Sequence, residues 1–373
     1  MSEGSTRLRW TSDVGPGAPF AGPEALPFGR RRKRPRGPRL PVTVVTGFLG
    51  SGKTTLIRAL LDKPEGAGTA VVVNEYGEIG IDHALLRSSS DATVLLGNGG
   101  LCCNVRTDLQ ETLRELFADR ARGAVPSFER VVIETSGLAD PGPVLQTFAT
   151  DRALGREFHL QALICVVDAV SGIANLEGMP EARRQVALAD RIVVSKSDLA
   201  EPGAAERLVA QIAALNPAPV GIARNGEIEP AFLLDEPLVV RDNFELGRTA
   251  HTHGLNSFSL VFDEPLSWPA FEQTMAALAA LRGPDLLRVK GLVAVAECRG
   301  PVVVHFVQHV AHPPIELEDW PDENRRSRLV FITRGLARAA VEQLFKGIAA
   351  VATPETAQRG RTTTVLAPFK QAR

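Results

Sequence analysis

The chain has 373 residues, with 42 basic against 43 acidic side chains, long enough for two domains and nearly without net charge. So even a balance supplies no global field for nucleic acid or a membrane surface, and no apolar stretch approaches the roughly 20 residues that span a bilayer. Four cysteines, two of them adjacent, do not make a disulfide framework in a chain of this size.

Residues 1–40 are rich in Gly, Pro and Ser and end in the basic run Arg30–Arg36. That composition cannot bury a core, so a disordered basic tail is expected. No apolar signal segment opens the chain, and a cytoplasmic location is expected.

From residue 41 to about 225, short β-branched runs alternate with helical periodicity. The candidate strands are 42–46, 69–74, 93–96, 130–134, 163–167 and 191–195, several of them continuously apolar, as in strands covered on both faces. Between them, Val105, Leu109, Leu113, Leu116 and Phe117 share one face of a helix predicted over 105–121. The pattern predicts an α/β fold with a doubly wound, mostly parallel sheet, whose ligands sit at the carboxyl ends of the strands. Residues 226–250 carry Pro230, Pro237 and Gly247 with little periodicity and read as a linker. A smaller α/β domain is predicted over 251–350, with strands near 257–262, 287–296, 302–309 and 327–333, helices near 268–281 and 336–345, and an antiparallel sheet. Residues 351–373 read as a loose tail.

Three segments in the first domain carry chemistry. Gly47-Phe-Leu-Gly50-Ser51-Gly52-Lys53-Thr54-Thr55 follows a β-branched strand and opens a helix. In that context the glycine-rich loop turns successive N–H groups toward phosphate oxygens, and the helix N-terminus adds its positive end. Lys53 would neutralise the β- and γ-phosphates, and the Thr54 hydroxyl would meet magnesium. Glu134-Thr-Ser-Gly137 follows the next apolar strand; its carboxylate can reach magnesium through water, and the Gly137 N–H can meet the γ-phosphate. Ser195-Lys196-Ser-Asp198 stands where GTPases carry Asn-Lys-x-Asp. The Asp198 carboxylate matches the N1–H and N2–H₂ donors of guanine, which adenine lacks, and Lys196 would lay its stem over the base. GTP and GDP are therefore favoured over ATP. Ser195 is shorter than the usual Asn and is expected to loosen a loop tie. Glu75 and Glu78, in the switch-like stretch 74–82, are candidates for magnesium, for the attacking water or for a cargo metal.

These segments, with Asn98-Gly-Gly-Leu-Cys102-Cys103, Arg288-Val-Lys-Gly291 and Arg328-Leu-Val-Phe-Ile332, stand in the order found in the CobW-type metallochaperone GTPases. The chain resembles that family over roughly residues 41–346. The resemblance implies GTP hydrolysis, zinc as the leading cargo and an unidentified metal-acceptor protein as partner; from the charge balance, no nucleic-acid or membrane partner is expected. The family motif is Cys-x-Cys-Cys, and here Gly100 replaces its first thiol. Cys102 and Cys103 can still hold zinc if Glu78, His83, water or a partner completes a tetrahedron. Cobalt remains open as cargo, and so does a regulatory or assembly GTPase with no metal cargo. An ATP-dependent kinase or transferase is a further alternative, which Asp198 argues against. His305 and His309, at even spacing with His312 nearby, and the pair His251 and His253 are candidates for a second metal site. Cys165 and Cys298 read as structural.

Overall fold

A computed structural model describes residues 8–9, 39–74, 95–97, 105–235, 250–252, 254–296 and 298–352. The first domain is built on seven parallel strands in the order β4-β3-β5-β2-β6-β7-β8. These are β2 (Leu40–Thr46), β3 (Thr69–Asn74), β4 (Leu95–Gly97), β5 (Arg130–Thr135), β6 (Phe158–Asp168), β7 (Arg191–Ser195) and β8 (Val220–Ile222). The six strands predicted here are all present, and β8 extends the edge beyond them. β2 and β7 are apolar at most positions and buried along most of their length because helices cover both faces of the sheet.

The helices of this domain are α1 (Lys53–Leu61), α2 (Val105–Arg122), α3 (Gly142–Thr150), α4 (Leu154–Glu157), α5 (Gly172–Gly178), α6 (Pro180–Leu188) and α7 (Ala204–Leu215). Leu109, Leu113 and Leu116 of α2 pack with Val42, Val44, Val131 and Ile133 of the central strands, as the four-residue spacing requires. On α7, Leu208, Ile212 and Leu215 do the same against Ile192 and Val194. Each such side chain contributes on the order of 1.5–3 kcal/mol by leaving water.

Helix α8 (Pro230–Leu234) lies within the stretch read as a linker, and Leu233 is buried against Val45, Leu56 and Leu60. Proline at its first turn supplies the required φ and loses no hydrogen bond.

The second domain is an antiparallel sheet in the order β1-β14-β12-β11-β15-β10-β9, with β13 paired to β12. Its strands are β9 (Ala250–Thr252), β10 (Leu255–Phe262), β11 (Leu286–Val293), β12 (Val302–Val307), β13 (Val310–Ala311), β14 (Ile315–Leu317) and β15 (Ser327–Arg334). β1 is the pair Leu8–Arg9, in register with Leu317 and Glu316. This is a departure from the disorder expected of the tail, since two of its residues add a strand to the edge.

Side chains alternate across this sheet. Val302, Val304 and Phe306 of β12 meet Leu329 and Phe331 under α9 (Trp268–Arg282) and α10 (Arg338–Ala352). On the opposite face, Leu287, Val307 and Ile332 join the core of the first domain with Ala187 and Leu188 of α6. Both domains thus share one apolar seam. Among the described residues no helix is long and apolar enough to cross a membrane.

Candidate nucleotide site

The parallel strands all present their carboxyl ends to one edge, and the chemistry collects there. β2 ends at Thr46, and the loop from Gly47 to Gly52 leads straight into α1 at Lys53. Gly47 has φ +146°, and a Cβ there would lie 2.3 Å from the Val166 carbonyl oxygen, so only glycine fits. The Ser51 N–H donates to Phe48 O at 3.1 Å and closes the turn. Lys53 is buried, and its ammonium donates to Gly47 O at 3.0 Å, across the mouth of the loop.

Thr54 and Glu134 meet directly. The Thr54 hydroxyl donates to Glu134 Oε1 at 2.7 Å, joining the first turn of α1 to the end of β5. Glu134 is buried and in register with Val45 of β2. Beyond it, Gly137 packs onto the phosphate loop so closely that a Cβ would lie 2.8 Å from Leu49 N. Gln185 of α6 holds this segment from behind, donating to Gly137 O at 3.0 Å and to Ala139 O at 3.1 Å. Neither Gln185 nor its role is legible from the sequence, where it is one polar residue in an ordinary helix.

The Ser195–Asp198 segment leaves β7 on the other side of the loop. Its first residue corrects an expectation. Ser195 Oγ donates to Ser51 O at 2.6 Å, so the tie is made despite the shorter side chain. Gly52 also lies close to this side chain, since a Cβ there would sit 3.7 Å from Ser195 Oγ. Lys196 takes a left-handed φ of +55°, and its ammonium meets Asp168 Oδ2 at 3.0 Å. Asp198 Oδ1 accepts from the Asn225 N–H at 3.1 Å, while Ser197 Oγ donates to Ala223 O at 2.9 Å. Gly47, Gly50, Ser51, Gly52, Lys53, Thr54, Thr55, Glu134, Gly137, Lys196 and Asp198 therefore line one edge. The Thr54 hydroxyl, the Glu134 carboxylate, the glycine-rich turn and the Asp198 carboxylate stand together there.

Glu75, Glu78, His83, Cys102 and Cys103 lie outside the described residues. β3 and β4, the strands before them, run side by side, with Val73 in register with Gly97. Among the described residues no group of three or more His, Cys, Asp or Glu is placed to hold a metal.

The second-domain histidines do not follow the expected strand face. β12 ends at Val307, and His309 falls beyond it in a turn where Gln308 has φ +55°. His305 instead stacks on His312, with ring centroids 4.4 Å apart. Burial holds His305 well below the ordinary histidine value, with His312 and Arg288 adding to the effect. Burial also pushes His312 down to about 4, with Arg288 adding to it. Beside them, Asp190 bonds Arg288 and, at 2.7 Å, Lys290, both of them on β11. Burial pushes the Asp190 carboxyl up, but the two cations overcome this and hold it well below the usual carboxylate range. Cys165 is fully buried, and desolvation pushes its thiol up to about 12, which suits a packing role.

The fold and the site define a P-loop nucleotide-binding protein with an appended antiparallel domain. Residues 41–220 match the family described as CobW/HypB/UreG, nucleotide-binding domain, and residues 255–349 match the cobalamin synthesis protein cobW C-terminal domain. The zinc chaperone YjiA of Escherichia coli (strain K12) is 32% identical over 316 residues, covering 82% of this chain and 98% of that protein. The zinc chaperone CobW of Pseudomonas aeruginosa is 33% identical over 344 residues, covering 81% and 90%. The crystal structure of the Zn(II)-bound YjiA GTPase superposes with a TM-score of 0.65 at 28% identity, over 84% of this chain and 99% of that one. The chain belongs to the CobW family of P-loop GTPases.

Proposed function

We propose that this protein is a GTP-hydrolysing metallochaperone that holds zinc at Cys102 and Cys103, with Glu78 as a further ligand, and passes it to an acceptor protein. The observation that carries the nucleotide half is the convergence, on one sheet edge, of the Gly47–Gly52 loop, the Thr54–Glu134 pair and the Lys196–Asp198 loop. The zinc half is supported by the adjacent thiols in the sequence and by relatives named as zinc chaperones.

The Thr54 hydroxyl and Glu134 carboxylate fit magnesium, because both are hard oxygen donors held 2.7 Å apart. Bound there, the ion would spread the charge of the β- and γ-phosphates. The chain's own residues do the rest. Lys53 exchanges the Gly47 carbonyl for phosphate oxygen, and the loop N–H groups and Gly137 N–H receive the charge that builds on the γ-phosphoryl group. Glu75 is placed in sequence to orient the attacking water. Asp198 accepts the two guanine donors, and adenine in its place would leave a desolvated carboxylate unmatched. A regulatory GTPase without metal cargo is the second reading, favoured by Gly100 where the family carries its first cysteine.

The nucleotide reading is tested by calorimetry. GTP and GDP should bind at least about tenfold more tightly than ATP, the loss typical of one unmatched buried polar contact, and Asp198→Ala should erase the difference. Equal affinity of the native chain for ATP and GTP would reject it.

A further inference from the structure

Asp168 carries two separate duties at the end of β6, and they make different chemical demands. Its Oδ1 accepts from the backbone N–H of Val170 at 2.7 Å and of Ser171 at 3.2 Å, closing the turn before α5. An asparagine side-chain oxygen could do this equally well. Its Oδ2 meets the Lys196 ammonium at 3.0 Å, and this contact needs a negative charge. With asparagine there, an amide N–H₂ turned to the lysine would repel the ammonium.

Lys196 needs an anchor. It is a non-glycine residue in left-handed backbone, at φ +55°, a conformation that costs roughly 1–3 kcal/mol unless its surroundings hold it. Its side chain is long, and fixing one rotamer costs up to about 2 kcal/mol. Several contacts within the protein itself meet that demand. Asp168 is in register with Ser195, the Ala169 N–H donates to Ser195 O at 2.9 Å, and the Asp168 side chain is only 8% exposed. The far side of the loop is fixed by Ser197 and Asp198 through Ala223 and Asn225. The β6–α5 turn and the base-reading loop are thus clamped together by one carboxylate.

We propose that Asp168 is a positioning residue for guanine-nucleotide binding: it holds the Lys196 ammonium so that the lysine stem is already laid beside the base that Asp198 reads. The inference rests on the guanine reading of the previous subsection. Preorganising the lysine lowers the ordering cost of binding, so losing the anchor weakens binding without touching any nucleotide contact.

The test is a double-mutant cycle on the full chain, with fluorescent GDP as probe. Asp168→Asn, Lys196→Met and their combination are compared, together with Asp168→Glu and Asp198→Ala. Asp168→Asn should weaken GDP binding by about threefold or more, and Lys196→Met likewise. The double variant should be no weaker than Lys196→Met alone, because the two residues act through one contact. Asp168→Glu keeps the charge and should bind GDP better than Asp168→Asn, whereas a turn-capping role alone gives the opposite order. Unchanged affinity in Asp168→Asn, additive losses in the double variant, or Asn outperforming Glu would overturn the proposal. Should Lys196→Met and Asp198→Ala both bind GDP like the native chain, the guanine reading itself has failed, and the proposal falls with it.

Discussion

Ser195 makes with one hydroxyl the contact expected of a longer amide. Its Oγ lies 2.6 Å from Ser51 O, inside the phosphate loop, because the loop passes directly above the end of β7. Removing it with Ser195→Ala leaves the Ser51 carbonyl without this partner in a buried place, at a cost of about 1–3 kcal/mol. Nucleotide affinity should fall about fivefold or more, as read by GDP titration, while the helical content of the protein stays constant. Native affinity in this variant would mean that the tie is idle. At this scale the sequence was informative about residues whose chemistry is set by a local motif, such as Lys53, Thr54 and Glu134. It was silent about Asp168 and Gln185, whose partners come from other strands and helices. A lone Asp at a strand end and a lone Gln in a helix have no spacing that marks them.

The elements themselves were largely legible. Continuous β-branched runs such as 69–74 and 191–195 became strands with those bounds, and Leu109, Leu113 and Leu116 gave α2 its buried face. The pairing between domains was not. Arg288 and Lys290 stand in the otherwise apolar strand Leu286–Val293, which signals that a counter-charge must exist, but Asp190 is 98 residues from Arg288. Asp190→Asn would leave the buried Arg288 and the partly buried Lys290 uncompensated and should destabilise the protein by about 3–5 kcal/mol, seen as a lower urea midpoint. A midpoint equal to that of the native chain would show that the domain seam does not depend on this cluster. The same seam sets the response to acid. His305 and His312 have folded pKa values below their ordinary value of 6.5, with His312 at about 4. Below pH 6.5 the unfolded chain therefore takes up protons that the folded chain refuses, so stability falls as pH drops toward 4. The slope is up to about 1.4 kcal/mol per pH unit for each histidine. Asp190 is also depressed, so its contribution stays intact until pH falls below about 4, the unfolded aspartate value, and is lost further down. Urea midpoints measured from pH 7 to 4.5 should decline, and His312→Gln should flatten the decline. A flat profile in the native protein would contradict the burial of the pair.

At the scale of the molecule, helix α6 stands between the two domains. Gln185 grips the carbonyls of Gly137 and Ala139, beside the phosphate loop. Five residues on, Asp190 grips Arg288 and Lys290 of the second sheet, and Leu188 enters the shared apolar core. This stretch thus ties the Gly137 segment to the second sheet through packed contacts. The thiols follow β4, next to β3, which is itself paired to β5 and Glu134. We infer that nucleotide and metal are bound by one coupled system, and zinc titration of the whole chain with and without GTP and magnesium tests this. Zinc affinity should change with GTP by a factor in the range of about 5 to 150, and GTP affinity should change with zinc by the same factor. Zinc binding should release protons and weaken as pH falls, and Cys102→Ser with Cys103→Ser should abolish it while GDP still binds. Zinc affinity indifferent to GTP, or unchanged zinc stoichiometry in the double serine variant, would rule out this coupling and leave a GTPase without metal cargo.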